Sequence, residues 1–535
     1  MKRISVLLCM LFVACSVFSQ WRTQERALEI ARTQKTGSQT KKYVQSAGLE
    51  PAYVLQSKDK NHSLIYGFNY KNGGFVLVSG CEYTPEIIGY ADNGSLPSET
   101  KDMPDGLRYL MEVYKEQIQY ATQSMNRPPA KATPSKLFDV EPFIKTQWNQ
   151  SSPYNDDCPS HYPAGCVAIA MAQVMNYYQW PDRGVGSRNG YDFSKRTWDW
   201  NKMLTQYSEN VYSVETAKEV STLVRYLGAS VNMDYAPDGS GATSYEMIKS
   251  LHDYWKYDDG MSFASRDNYS DGMWEELIFN EISQHRPVLY EGHSRKPQTQ
   301  KSFDLQSIIP GDEIGGGHVF ILDGYKQGLF HVNWGWGGYC DGYFMINSLN
   351  PTHNPNSTEY LYNQNAFLGV QPETSESIAS RLESREKWTL SGASVMDDMT
   401  LNITGFVSCY SVSPFTGKVG VIVTDLETQE QYSYLEEEIN NLDFWYGRSV
   451  TVHVPTKELK SNHSYKAELV FLPSGSSEVT VLPVPIDQPT LTFKVGNAGG
   501  AKELYPRRMV VEEGTGTWCP WCVRGIVGME YMTEN

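Results

Sequence analysis

Three residues in this chain could together open an amide bond: Cys166, His318 and Asn333. A thiolate attacks the carbonyl, and an imidazole beside it takes the thiol proton and later hands it to the leaving amine. A carboxamide oxygen can hold that imidazole in one tautomer. Cys166 opens a run of small and apolar residues, Val167 to Met175, so it stands where a buried helix begins. There the unpaired first-turn N–H groups and the helix dipole favour a thiolate. His318 follows the glycines at 315 to 317 and starts the apolar run Val319 to Leu322, while Asn333 lies near the end of a second run, Leu329 to Trp334. With the turn-like stretch Asp323 to Gly328 between them, the two runs predict a hairpin that brings His318 close to Asn333. Acyl transfer also needs a donor for the developing oxyanion, and Gln150, sixteen residues before Cys166, is the candidate.

Each assignment has a plainer rival. A cysteine ahead of an apolar helix can be a core thiol. A histidine at a strand start can be a surface or satisfied core group, which is the reading given to His331 and His161. Asn333 could simply end a ladder, and Gln150 could cap a loop. Trp334 and Trp336 read first as packing residues. The glycines at 315 to 317 suit a loop whose backbone approaches an extended peptide, with Ser302 to Gly316 closing over it.

The elements that must position these groups run helices first and strands later. After the Cys166 helix, Val214 to Leu227 carries an apolar stripe at helical spacing, and Pro287 to Tyr290, His318 to Leu322, Leu329 to Trp334 and Tyr343 to Ile346 read as antiparallel strands. That order predicts an α+β domain with nucleophile and base on opposite walls of a cleft. Upstream, residues 20–140 combine a short helix at Arg22 to Thr33, four extended runs between Ala52 and Tyr90, and a one-sided helix at Pro104 to Thr122. The proline-rich Asn126 to Thr133 suits proteolytic nicking, which places an activation junction between Arg127 and Glu141. Downstream of 141–372, short alternating runs over 388–497 predict a β-sandwich. Residues 505–535 hold a strand and then Trp518-Cys519-Pro520-Trp521-Cys522, the way a thioredoxin-like redox domain begins. Only thirteen residues follow Cys522, so either such a fold continues beyond them or the pair is a lone disulfide, with half a zinc site the weaker reading.

The chain of 535 residues is too long for one core. A formal net charge of −16 with no basic run argues against a nucleic-acid partner. Met1-Lys2-Arg3 followed by the apolar Ile4 to Ser19 reads as a secretory signal over 1–19, and Cys15 as a lipid attachment point is the competing reading. No later stretch has membrane length. Nine sparse cysteines do not make a disulfide framework, and Cys158 and Cys340 are expected as free thiols. No metal or cofactor is called for.

The segments WNQ-x-x-PYN around Gln150, AGCVAIAMAQVM around Cys166, YLGASVNMDYAPDGSGA, RPVLYEG, GGHVFILDGY and FHVNWGWGG resemble the streptopain and interpain family of secreted bacterial cysteine peptidases, over roughly residues 20 to 372. The resemblance implies a papain-like endopeptidase made as a zymogen, with Cys166 as nucleophile, His318 as base, Asn333 as orienting residue and Gln150 in the oxyanion hole. It further implies that Gly241 and Gly317 offer backbone groups to a peptide substrate, and that Trp334 packs on the His and Asn pair. The segment 20–140 would be an inhibitory propeptide that keeps His318 from pairing with Cys166. The papain signature C-G-[SA]-C-[WY] is absent, so the likeness is to the streptopain branch. Two other functions stand beside this one: a thiol-disulfide oxidoreductase working through Cys519 and Cys522, and an inert peptidase-like protein that binds through its β-domain.

Overall fold

Apolar side chains alternate along His318–Lys326 so that Phe320 and Leu322 enter one core while Val319 and Ile321 enter another. A strand buried on both faces must have layers on both sides. In this computed structural model that strand sits inside a ten-stranded sheet. The structure describes residues 20–34, 48–123, 137–208, 212–292, 318–346, 364–373, 378–397, 399–485 and 487–496.

In chain order the strands of the large sheet are β1 Leu49–Gln56, β2 Ser63–Tyr70, β3 Phe75–Ser79, β4 Ile87–Ala91, β5 Ser262–Ser265, β6 Val288–Gly292, β7 His318–Lys326, β8 Leu329–Asn333, β9 Gly342–Phe344 and β10 Gln364–Leu368. Their spatial order is β1-β2-β3-β4-β9-β8-β7-β6-β10-β5. The first four strands come from the N-terminal segment, and they join the rest through β4 and β9, where Tyr343 faces Tyr90 and Phe344 faces Gly89. Residues 20–123 and the later strands therefore share one sheet.

The helices are α1 Gln24–Thr33, α2 Asp105–Gln123, α3 Cys166–Tyr178, α4 Val214–Ser230, α5 Ser244–Trp255 and α6 Asp271–Ser283. One face of the sheet carries α2, whose Leu107, Leu110, Met111, Tyr114 and Ile118 are buried with Phe320, Val332, Trp334 and Phe344. Tyr114 fastens this helix by donating its hydroxyl to the carbonyls of Met345 at 2.6 Å and Ile88 at 3.1 Å. Across the sheet, α3, α4 and α5 pack their apolar residues on Val319, Ile321, Leu289 and Phe367. Thr23, Ser213, Thr243 and Ser270 cap α1, α4, α5 and α6 by accepting N–H groups of the first turn.

The turn of the hairpin differs from the expected one. Strand β7 runs on through Asp323 to Lys326, and Gln327 and Gly328, both at positive φ, make a two-residue turn. Asp323 can lie inside the strand because His331 Nδ1, one strand over, meets its Oδ1 at 2.6 Å. A buried carboxylate with a cationic or donor partner is tolerated where a lone one is not.

The C-terminal part holds β11 Thr400–Cys409, β12 Phe415–Asp425, β13 Gln431–Leu442, β14 Gly447–Pro455, β15 Ser464–Pro473 and β16 Leu491–Gly496. One sheet is built on β11 and β14, the other on β16-β15-β12-β13. Between them Leu401, Ile403, Val421, Val452, Leu469 and Phe493 form a core, as the alternating runs predict for a sandwich. Strand β13 was not expected, since its Glu436, Glu437 and Glu438 leave little apolar pattern to read. The five cysteines among the described residues, Cys81, Cys158, Cys166, Cys340 and Cys409, are free.

Candidate active site

Helix α3 starts where the chain can turn sharply. Gly165, its N-cap, has φ 88°, and an added Cβ there would stand 2.8 Å from the Met233 thioether and 3.0 Å from the Ser240 carbonyl oxygen. Only glycine fits. The next residue, Cys166, is half-buried at the first helical position. The His318 imidazole and the backbone of Val319 and Val167 lie close enough to act on its thiol. Burial pushes the thiol pKa up, and His318, with those backbone groups, outweighs it, so the thiol sits below its ordinary value.

His318 is buried at the start of β7. Its Nε2 lies 3.1 Å from the backbone carbonyl oxygen of Trp334. A carbonyl only accepts, so Nε2 carries the proton and Nδ1 is left for the sulfur. Among the described residues, the Asn333 carboxamide bonds to groups other than this imidazole. In the ladder Asn333 pairs with Ile321 rather than His318, behind a register shift at His331 and Val332. Its carboxamide is taken elsewhere: Nδ2 donates to the Thr146 carbonyl at 2.8 Å, and Oδ1 accepts from Gln173 Nε2 and from the Gly335 N–H, each at 3.1 Å. The hairpin thus brings His318 to the residue after Asn333.

Trp334 is fully buried, its ring against Phe320 at 4.8 Å and Phe344 at 5.2 Å. Its backbone is pinned by Asp341, whose Oδ1 accepts the Trp334 N–H at 3.0 Å. Asp341 is itself buried, and desolvation raises its pKa to about 7, against the lowering effect of the Trp334 hydrogen bond and His331.

Gln150 is half-buried, and its carbonyl accepts the Ala164 N–H at 2.9 Å, two residues before Cys166. That bond ties its backbone to the loop bearing the thiol. Gly241 is exposed and backbone-paired with Asp234, at 2.9 and 3.0 Å, in the loop whose Met233 abuts Gly165. His161 is exposed, and His331 is the partner of Asp323 already described. Gly317, the 302–316 loop, residues 1–19, Asn126 to Thr133, and Cys519 with Cys522 lie outside the described residues.

Two residues were missed by sequence reasoning. Gln173, fully buried, accepts the Trp148 N–H at 3.1 Å and holds Asn333. A lone amide inside Ala-Ile-Ala-Met-Ala-Gln-Val-Met was a readable signal, because a polar group so placed must have a partner. Asp341 gave little local sign.

The N-terminal segment meets the site directly. At Gly106, in the first turn of α2, an added Cβ would lie 2.5 Å from the Trp334 ring and 2.7 Å from His318 Cδ2. This contact covers the imidazole.

A thiol at a helix N-terminus, lowered by an adjacent imidazole, is the constellation of cysteine-type hydrolases. Comparison with known proteins gives the class its particular form. Residues 148–344 match the model of the Peptidase C10 family, and residues 20–118 match that of the Spi protease inhibitor. Streptopain of Streptococcus pyogenes is 31% identical over 353 residues, spanning 58% of this chain and 81% of the relative. The thiol protease/hemagglutinin PrtT of Porphyromonas gingivalis is 28% identical over 406 residues, 69% of this chain and 44% of that one. Among solved structures, a fragment of Prevotella intermedia prointerpain A is similar at 28% identity, covering 61% of this chain and all of that one with a TM-score of 0.49. The chain belongs to the Peptidase C10 family of streptopain-type peptidases and is a cysteine-type endopeptidase. No helix among the described residues is long and apolar enough to cross a membrane.

Proposed function

We propose that this chain is a secreted zymogen that hydrolyses protein substrates with Cys166 as nucleophile and His318 as general base. The observation that carries this reading is the placement of His318 beside Cys166 at the start of α3, where it lowers the thiol pKa, under the first turn of α2. Nδ1 of His318 takes the thiol proton, the thiolate adds to the scissile carbonyl, and the same nitrogen protonates the departing amine. Water then attacks the thioester with His318 as base. The oxyanion falls to the Cys166 N–H at the helix start and to the Gln150 side chain. The Trp334 carbonyl keeps the imidazole tautomer, while Asn333 acts at one remove through Gln173 and the Gly335 turn. Gly241 and Gly317 offer backbone groups to the substrate.

Residues 20–140 serve as propeptide, 141–372 as peptidase and 388–497 as sandwich. The propeptide inhibits by covering His318, and cleavage between Arg127 and Glu141 releases the site. Residues 1–19 direct secretion. Incubation of the full chain with reductant and casein, followed by mass spectrometry, tests the proposal: cleavage of casein and trimming near residues 127–141 are expected, both lost in Cys166→Ala. Casein hydrolysis by Cys166→Ala at the original rate would overturn it.

A further inference from the structure

A cavity of about 580 Å³ is lined by residues 231–234 and 241–243 with Tyr245 and Glu246, and its Met233 side chain reaches Gly165, the residue before Cys166. Met233 forms the side that touches Gly165, so what enters this cavity lies beside Cys166. Glu246 is held by the Arg188 guanidinium, with Nη2 to Oε1 at 3.0 Å, which offsets its charge. The remaining walls mix polar Asn232, Asp234 and Thr243 with the apolar surfaces of Met233, Ala242 and Tyr245, and the apolar part depends on where the Tyr245 ring lies.

Tyr245 is half-buried in the first turn of α5, and its ring is not supported by the peptidase alone. Phe444, from the turn between β13 and β14 of the sandwich, stacks on it with ring centroids 5.3 Å apart and planes within 8°. The next residue, Trp445, meets Phe263 at 5.2 Å and Tyr410 at 5.1 Å, and the Arg385 guanidinium lies over the Tyr410 and Trp445 rings at 4.8 and 5.3 Å. Backbone bonds fix the same junction: Phe263 donates to Tyr410 at 2.9 Å and Val412 to Met261 at 2.9 Å. Tyr410, Val412 and Phe444 belong to the same apolar core as Met261, Phe263 and α3. The sandwich is thus packed into the peptidase core, and one of its aromatic rings stands directly behind a wall of the cavity.

We propose that the sandwich helps set substrate selection, with Phe444 as a positioning residue that holds the Tyr245 ring against the cavity beside Cys166. The proposal rests on the reading of Cys166 as nucleophile. A ring buttressed on one face by a flat, buried partner keeps one orientation, whereas without that partner it can swing and enlarge the space.

The test uses the processed chain and pairs of peptide substrates that differ only in one apolar side chain, phenylalanine or valine, placed in turn at each position flanking the cut. In Phe444→Ala the ratio of kcat/KM for one such pair should move by about tenfold, carried by KM, the scale on which a change in apolar contact discriminates. Phe444→Tyr, which restores a flat ring, should return the ratio to within about twofold of the parent. Tyr245→Leu, altering the wall itself, should move the ratio even if Phe444→Ala does not fold. An unchanged ratio in both folded Phe444→Ala and Tyr245→Leu, with Cys166 still alkylated at the parent rate, overturns this proposal and spares the nucleophile. Casein hydrolysis that survives Cys166→Ala overturns both.

Discussion

His318 Nε2 lies 3.1 Å from the carbonyl oxygen of Trp334, so the atom that holds this imidazole belongs to the backbone. A backbone acceptor cannot be removed by truncating a side chain. It can only be moved through what positions it, and this shapes the outcomes expected below.

Asn333→Ala should cost stability more than chemistry. Its buried carboxamide makes four hydrogen bonds, two with Gln173 and one each with Thr146 and Gly335. Their loss leaves partners unpaired, for about 2 to 3 kcal/mol. Thermal denaturation should show that loss, while kcat of the folded variant stays far above that of His318→Ala. Equal kcat in the two variants would mean that Asn333 orients the imidazole in the working enzyme.

The lowered Cys166 pKa has a readable pH dependence. With His318 in place the thiolate persists below the pH at which an ordinary cysteine protonates, so iodoacetamide should alkylate the processed protein at correspondingly lower pH. In His318→Ala the desolvation remains and the stabilising partner is gone. The half-maximal alkylation rate should then move to higher pH. A profile identical in the two proteins would deny any link between the groups.

Asp341 acts in the opposite sense. Its folded pKa, about 7, stands above the ordinary carboxyl value of 3.8. Between these values the unfolded chain has released a proton that the folded chain still holds, so stability falls as pH rises from about 4 to about 7, by about 1.4 kcal/mol per unit of the difference. Below that window the contribution is fully present. Asp341→Asn keeps an oxygen for the Trp334 N–H and cannot ionise. Its urea midpoint should be flatter with pH than that of the parent, and parallel curves would refute the assignment.

Gly106→Leu tests the cover over His318. A side chain at this position cannot be accommodated against the Trp334 ring without lifting the first turn of α2. The unprocessed chain should lose about 1 to 3 kcal/mol of stability. Before any trimming, it should also hydrolyse a small peptide several-fold faster. A variant that folds with an unmoved initial rate would mean that inhibition comes from another contact.

Much of this arrangement could be read from residue order alone, for reasons that differ by element. The Cys166 helix and the β7–β8 hairpin are written in local periodicity, and the site residues sit at their ends. What escaped was the offset within the hairpin. Asp323 looks like a turn residue, and only its partner His331, eight positions on and one strand over, allows it inside β7. With that shift Asn333 faces Ile321 in the ladder, and the imidazole of His318 meets the Trp334 carbonyl instead. Long-range partners of this kind leave no mark in a window of neighbours. Gln173 was legible in principle, as the one amide in an apolar run. The Phe444 and Tyr245 stack was not, since 199 positions separate the two rings.

Under the proposed processing, the pairing of β4 with β9 has a further consequence when residues 49–91 leave. Gly342–Phe344 then becomes the outermost strand of the remaining sheet, with its N–H and C=O groups turned towards solvent. Exposed borders of this kind invite adhesion between copies, and a short rim limits it. At three residues this one offers little template for another chain to zip onto. The same vacated rim is a place where the released segment could dock again from solution.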